Sequence, residues 1–166
     1  MTATTSVAVR ADFFDASALV KVYASEPGSD VVRTYFRSSV TKYTSPFCFY
    51  EALNVLKSKW LHRSQMSRDE YLQAAFQLTV WYGAATSRIE DLNFADPNVF
   101  HAAKAIVERT GVDLSDAFQI LIVREGYFSH LINDSKTVLV TADKALAAAA
   151  RTESLRVWSA MEESPP

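Results

Sequence analysis

Asp12-Phe13-Phe14-Asp15-Ala16-Ser17-Ala18-Leu19-Val20-Lys21 is the stretch on which the fold turns. Two phenylalanines between acids read as a short strand over Asp12–Asp15. A helical pattern follows over Ala18–Ala24. Val138-Leu139-Val140-Thr141-Ala142-Asp143 repeats the arrangement: a buried strand, then an acid, then an alanine-rich helix from Asp143 onward. Leu155–Trp158 reads as a last strand, and Ile89–Leu92 as a further one. Strands separated by helices favour parallel pairing through right-handed crossovers. The expected fold is therefore α/β, a three-layer α/β/α sandwich on a short, mainly parallel sheet. Sites in such sheets lie outside the carboxyl ends of the strands, and there Asp15 and Asp143 share an edge.

Between these two units the chain reads as helices with clear punctuation. Pro27-Gly28 breaks the chain before a helix over Asp30–Arg37. Ser45 and Pro46 suit the N-cap and first helical position of the next one. Its Phe47, Tyr50, Leu53, Leu56 and Trp60, at spacings of three and four, form an apolar stripe. Ser67 and Glu70 form a capping box before a helix over Tyr71–Tyr82, whose aromatic side chains suit a core or a dimer contact. Asp96-Pro97 starts another helix that Gly111 ends. Asp113 caps a last one running to Gly126. Asp134, in the link Tyr127–Lys136, reads as a turn residue.

At 166 residues, 49% of them apolar and only four of them glycine, the chain suits one packed domain with a core over about residues 12–158 and loose ends at 1–10 and 159–166. Cys48 is the only cysteine. An intrachain disulfide and a cysteine-based zinc cluster are excluded, and a reducing cytoplasm is the expected compartment. The N-terminus lacks the features of a signal peptide. No apolar run approaches the roughly 18 residues that span a bilayer, so no membrane partner is expected. The net charge of −2 gives no basic face for nucleic acid. The nearest approach is Lys57, Lys59, His62, Arg63 and Arg68, which reads as a solvated helix end or as a phosphate-contacting patch. His62, His101 and His130 lack metal-ligand spacing and read as structural or surface residues.

Four acids carry the chemistry, though each has a plain reading of its own. Asp15 sits in an apolar frame, and could be a helix cap. Ser17 could cap that helix, or could aim the Asp15 carboxylate. Glu51 lies mid-helix on a partly apolar face; it is exposed or salt-bridged, or it points inward and needs a lysine or a metal. Asp116 falls on the first turn of a buried helix, where the macrodipole favours an anion and Asp113 already serves as cap. Asp143 could simply cap the alanine-rich helix, with the Thr141 hydroxyl two residues before it. Several carboxylates within about 5 Å of one another must protonate or share a cation. Oxygen-only ligands suit magnesium or manganese, and such a site polarises a phosphodiester and acidifies an attacking water.

The order Phe14-Asp15-Ala16-Ser17-Ala18-Leu19-Val20-Lys21, Glu51 in a helix, Leu114-Ser115-Asp116-Ala117, and Val140-Thr141-Ala142-Asp143 resembles the PIN domain. It is most similar to the VapC-type toxins of bacterial and archaeal toxin–antitoxin pairs, and the resemblance runs from about Asp12 to Trp158. It implies a magnesium- or manganese-dependent endoribonuclease acting on RNA. It also implies a homodimer and a small cognate antitoxin whose tail blocks the site. Carried over residue by residue, Asp15, Glu51, Asp116 and Asp143 are the metal-binding and catalytic acids, with Ser17 and Thr141 as their hydrogen-bonded supports. The segment before Asp116 and the link Tyr127–Lys136 are longer than in compact members, which bears on dimer geometry and antitoxin fit.

Other readings fit parts of the pattern. A non-catalytic PIN module binding RNA or a protein would be expected to lose an acid. An aspartyl-phosphate phosphatase wants a second acid where Ser17 stands. A receiver domain wants adjacent acids at the first strand's end, and Asp12 and Asp15 are not adjacent.

Overall fold

The computed structural model describes residues 10–86 and 89–166. The expectations for the N-terminus lie almost wholly outside them. Four strands form one entirely parallel sheet in the order β2-β1-β3-β4: β1 is Ala11–Phe14, β2 Thr41–Tyr43, β3 Val138–Thr141 and β4 Arg156–Ser159. Among the described residues seven α-helices flank it, as α/β/α layering requires: α1 Ala16–Tyr23, α2 Ser29–Ser38, α3 Pro46–Leu61, α4 Arg68–Thr86, α5 Pro97–Thr110, α6 Leu114–Glu125 and α7 Lys144–Thr152.

The centre of the sheet explains its own sequence. Phe13, Phe14, Val138, Leu139 and Val140 are completely buried, because strands covered by helices on both faces carry apolar runs rather than alternation. Each such side chain contributes about 1.5–3 kcal/mol on leaving water. The pairing Phe13↔Leu139 and Phe14↔Val140 sets the register. The next residue, Asp15, then donates its backbone N–H to the Val140 carbonyl at 3.1 Å. That bond aligns the exits of β1 and β3.

Asp12 is a buried acid inside β1, only 2% exposed. Its carboxylate accepts hydrogen bonds from Tyr35 at 3.0 Å and from Ser39, and pairs with Arg10 Nε at 3.2 Å. It ties α2 and the turn after it to the sheet.

Several elements differ from expectation. Asp15, rather than Ser17, is the N-cap of α1, so the helix begins at Ala16. β2 is an additional strand. The segment 89–92 is irregular and not a strand, because Asp91 Oδ1 accepts the N–H of Leu92 at 2.9 Å and of Tyr127 at 3.2 Å. Gly126 permits this approach, since a Cβ there would collide with the Asp91 carboxylate. The buried face of α3 is Cys48, Phe49, Ala52 and Leu56, rotated from the expected stripe; Phe47 is 37% and Tyr50 63% exposed. The capping box is present, with Ser67 N–H donating to Glu70 at 2.7 Å and Glu70 N–H to Ser67 at 3.2 Å, but α4 extends further at both ends. Gly111 ends α5 with φ 75°, a left-handed conformation that glycine adopts without strain. Asp134 lies in a single 3-10 turn, Asn133–Ser135. No described helix is long and apolar enough to cross a membrane.

Candidate active site

The carboxyl edge of β1 and β3 is closed by a short hydrogen-bond network. Asp15 is 3% exposed. Its Oδ1 accepts the Ala18 N–H at 2.7 Å, the N-cap bond that starts α1. Its Oδ2 accepts the Thr141 hydroxyl at 2.6 Å. The Ser17 hydroxyl lies 2.8 Å from both carboxylate oxygens and accepts the Ala142 N–H at 2.8 Å. Thr141 Oγ1 in turn accepts the Asp143 N–H at 2.9 Å. Ser17, Thr141 and Asp15 thus form one unit, assembled across the sheet from two distant segments.

Asp143 is exposed and caps α7, its Oδ1 accepting the N–H of Ala145 at 2.7 Å and of Leu146 at 3.1 Å. Asp116 is half-buried on the first turn of α6, where its N–H is held by Asp113 Oδ1 at 2.9 Å and its own Oδ1 accepts from Gln119 at 3.2 Å. Gln119 is buried, and among the described residues its Oε1 has no partner. Glu51 projects from α3 and is largely exposed, so the inward-pointing alternative does not hold. It lines two adjoining cavities beside Ser17 and Ser115.

The acids act on one another through their charges. Burial holds the Asp15 carboxyl up near 6 against the lowering effect of Thr141, Ala18 and Ser17, and the Asp143 charge adds to it. Asp116 is pushed up to about 7, first by burial, then by Asp113, Asp143, Asp15 and Glu51. Glu51, exposed as a residue but with its carboxyl partly shielded from water, is raised by that shielding and by Asp113 and Asp143. Asp113, read from the sequence only as a cap, therefore belongs to this field. Its proximity could have been suspected from its place one helical turn before Asp116.

Direct contact joins Asp15, Ser17 and Thr141, with Asp143 linked through its backbone. Asp116 and Glu51 are brought within electrostatic range but not into contact. Among the described residues no three acidic, histidine or cysteine side chains converge closely enough to hold an ion. The donors are nonetheless all hard oxygens, and three of the carboxyls carry charge that their surroundings resist. By donor chemistry this set suits a hard divalent cation. The three histidines are all exposed.

A parallel α/β sheet with carboxylates gathered at its carboxyl edge is suited to phosphoryl-transfer chemistry. The PIN domain signature matches residues 13–152, and the chain belongs to the PIN domain family, whose members are generally nuclease modules and typically depend on divalent metals. Comparison with curated proteins returns no match.

Proposed function

We propose that the protein is a magnesium- or manganese-dependent endoribonuclease of the VapC toxin type, with Asp15, Asp116, Asp143 and Glu51 as its acids. The observation that carries this reading is the buried Asp15 carboxylate, held by three donors beside acids that raise one another's proton affinity. Asp15, Asp116 and Asp143 would hold the metal, with Glu51 directly or through water. A divalent ion bound there supplies positive charge against the phosphodiester and makes a water more acidic. Ser17 and Thr141 keep the Asp15 oxygens in one orientation. Glu51, on the solvent side of the site, accepts the proton of the attacking water. Gln119 steadies Asp116 from the buried side.

Two partners belong to the same reading. Leu72, Phe76 and Val80 recur every four residues on α4 and remain exposed, which supports a homodimer contact. A small antitoxin silences the enzyme by placing an arginine among the acids, where the excess negative charge favours it.

Purified protein is expected to cleave RNA with magnesium or manganese and to stop with EDTA. Asp15→Ala and Asp116→Ala should each lose cleavage. Undiminished activity in both variants would sink the assignment.

A further inference from the structure

Beside the acids, one face of α3 forms a groove of which the chemistry above uses Glu51 alone. Phe47, Glu51, Asn54 and Ser58, with Arg63 and Ser115, line a cavity of about 470 Å³. A second cavity of about 290 Å³ shares Glu51, Val55 and Arg63 with it and continues to Ser17 and Ala142, against the Asp15 network. The two adjoin along α3 as one open channel, and of the four acids Glu51 lines both. From Phe47 to Ser58 the α3 axis rises by about 16 Å.

The two ends of this channel differ in kind. Phe47 is stacked on Phe118 at 5.4 Å and 16°, and meets Phe94 edge-on at 4.9 Å. Its ring is thus fixed by two aromatic neighbours, yet 37% of the residue is exposed in the groove. At the other end stand three cations. Lys21 and Lys59 are both committed to Glu26, at 2.8 Å and 2.5 Å. Arg63 makes no ion pair among the described residues, and it lines both cavities.

We propose that this groove seats single-stranded RNA in a fixed direction, with Phe47 stacking a base at one end and Arg63 holding a backbone phosphate at the other. The assignment rests on the ribonuclease reading. A fixed aromatic face accepts any base, and a guanidinium fork matches a phosphate. Glu51 sits between the two, so the bond presented to the acids is set by the distance from the stacked base. Arg63, left without an ion pair among the described residues, matches an anionic backbone, and the fixed Phe47 ring at the other end of the groove matches a base; together they favour nucleic acid as the occupant.

The test is fluorescence anisotropy of a short labelled single-stranded RNA against the full chain, with calcium as the cation and strand integrity checked on a gel. Phe47→Leu keeps the apolar contacts with Phe94 and Phe118 but removes the stacking face; it should weaken binding roughly ten-fold, while Phe47→Tyr should not. Arg63→Gln should weaken binding and lower the slope of log affinity against log salt by about 0.7. An abasic site scanned along the strand should cost affinity at one position in the wild type and at none in Phe47→Leu. Unchanged binding in Phe47→Leu and Arg63→Gln, or no binding by the wild type, overturns the groove. Cleavage of the same RNA with manganese is scored separately: a protein that cleaves while both variants bind RNA like the wild type keeps the nuclease reading and loses this one. A protein that never cleaves removes both.

Discussion

Thr141 donates its hydroxyl to Asp15 Oδ2 at 2.6 Å, across 126 positions of chain. The same Oγ1 accepts the Asp143 N–H at 2.9 Å, so one hydroxyl both orients the buried carboxylate and fixes the turn from β3 into α7. It can do so because β1 and β3 are neighbours whose parallel register ends together. The contact is a product of topology, and it lies at the point where the two acid-bearing segments meet.

Thr141→Val keeps the shape of the side chain and removes both functions of the hydroxyl. A buried carboxylate oxygen loses a donor and a backbone N–H loses its acceptor, which costs about 1–3 kcal/mol. Thr141→Ser should recover most of that loss in chemical denaturation. Since Thr141 is the strongest of the contacts that lower the Asp15 carboxyl, the valine variant should also shift the acidic limb of a cleavage profile to higher pH. Equal stability of the valine and serine variants would show that the hydroxyl carries no structural weight.

Asp15 itself makes the metal-free protein less stable at neutral pH. Its carboxyl is raised from 3.8 to about 6, so the folded state holds a proton that the unfolded chain has released. The protein is favoured below the unfolded value, loses stability as pH rises through 6, and stays at the lower level above it. The difference is on the order of 2–3 kcal/mol for a buried group. Asp15→Asn can still accept the Ala18 N–H and carries no charge. In EDTA it should unfold at higher denaturant than wild type at about pH 8 and differ little near pH 4, while losing cleavage at every pH. A wild-type advantage in EDTA at the higher pH would contradict the burial argument.

The sequence exposes the sheet centre better than its margins, for physical reasons. β1 and β3 are buried on both faces and show as apolar runs, so their position and the shared exit of Asp15 and Asp143 can be read directly. Thr41-Lys42-Tyr43 has too little apolar character to announce itself; it becomes β2 because β1 offers it an open edge. Ile89-Glu90-Asp91-Leu92 imitates a strand by composition, but the Asp91 side chain takes up local N–H groups instead. α3 is apolar on most of its circumference, so spacing alone does not select which stripe faces the core. The Asp15–Thr141 bond depends on strand register, which a sequence does not display. By sequence Arg63 is one member of a basic cluster that reads as a solvated helix end or as a phosphate-contacting patch, and the pairing of Lys21 and Lys59 with Glu26 sets it apart.

Asp143 has two tasks that substitution can separate. Its Oδ1 caps α7 through Ala145 and Leu146, and its charge acts on Asp116. Asp143→Ala should lose about 1 kcal/mol through the missing cap as well as cleavage. Asp143→Ser retains a capping oxygen without the charge, so its thermal stability should stay close to wild type. Its cleavage should still be lost, and its Asp116 should titrate lower by NMR. Full activity in the serine variant would leave Asp143 as a cap and nothing more.

The coupling of protons to cation binding gives the sharpest view of the acids as a set. Asp116 is raised to about 7 and Asp15 to about 6, while Glu51 is raised as well. At about pH 5 Asp15 and Asp116 are largely protonated in the folded protein, and a divalent ion must displace those protons to bind. At about pH 8 they are ionised and repel one another, so a cation relieves the repulsion without proton release. Manganese or magnesium should therefore raise the melting temperature markedly at the higher pH and little at the lower one. Calorimetry in buffers of different ionisation enthalpy should report proton release on binding near pH 6 that fades above pH 8. The cleavage rate at limiting metal should rise over the same interval, and saturating metal should shift that rise to lower pH. Asp116→Asn removes the group raised furthest, so its metal-induced stabilisation should be smaller and its pH dependence should shift toward that of Asp15 alone. If the cation stabilises wild type and Asp116→Asn equally at both pH values, its site lies elsewhere on the molecule.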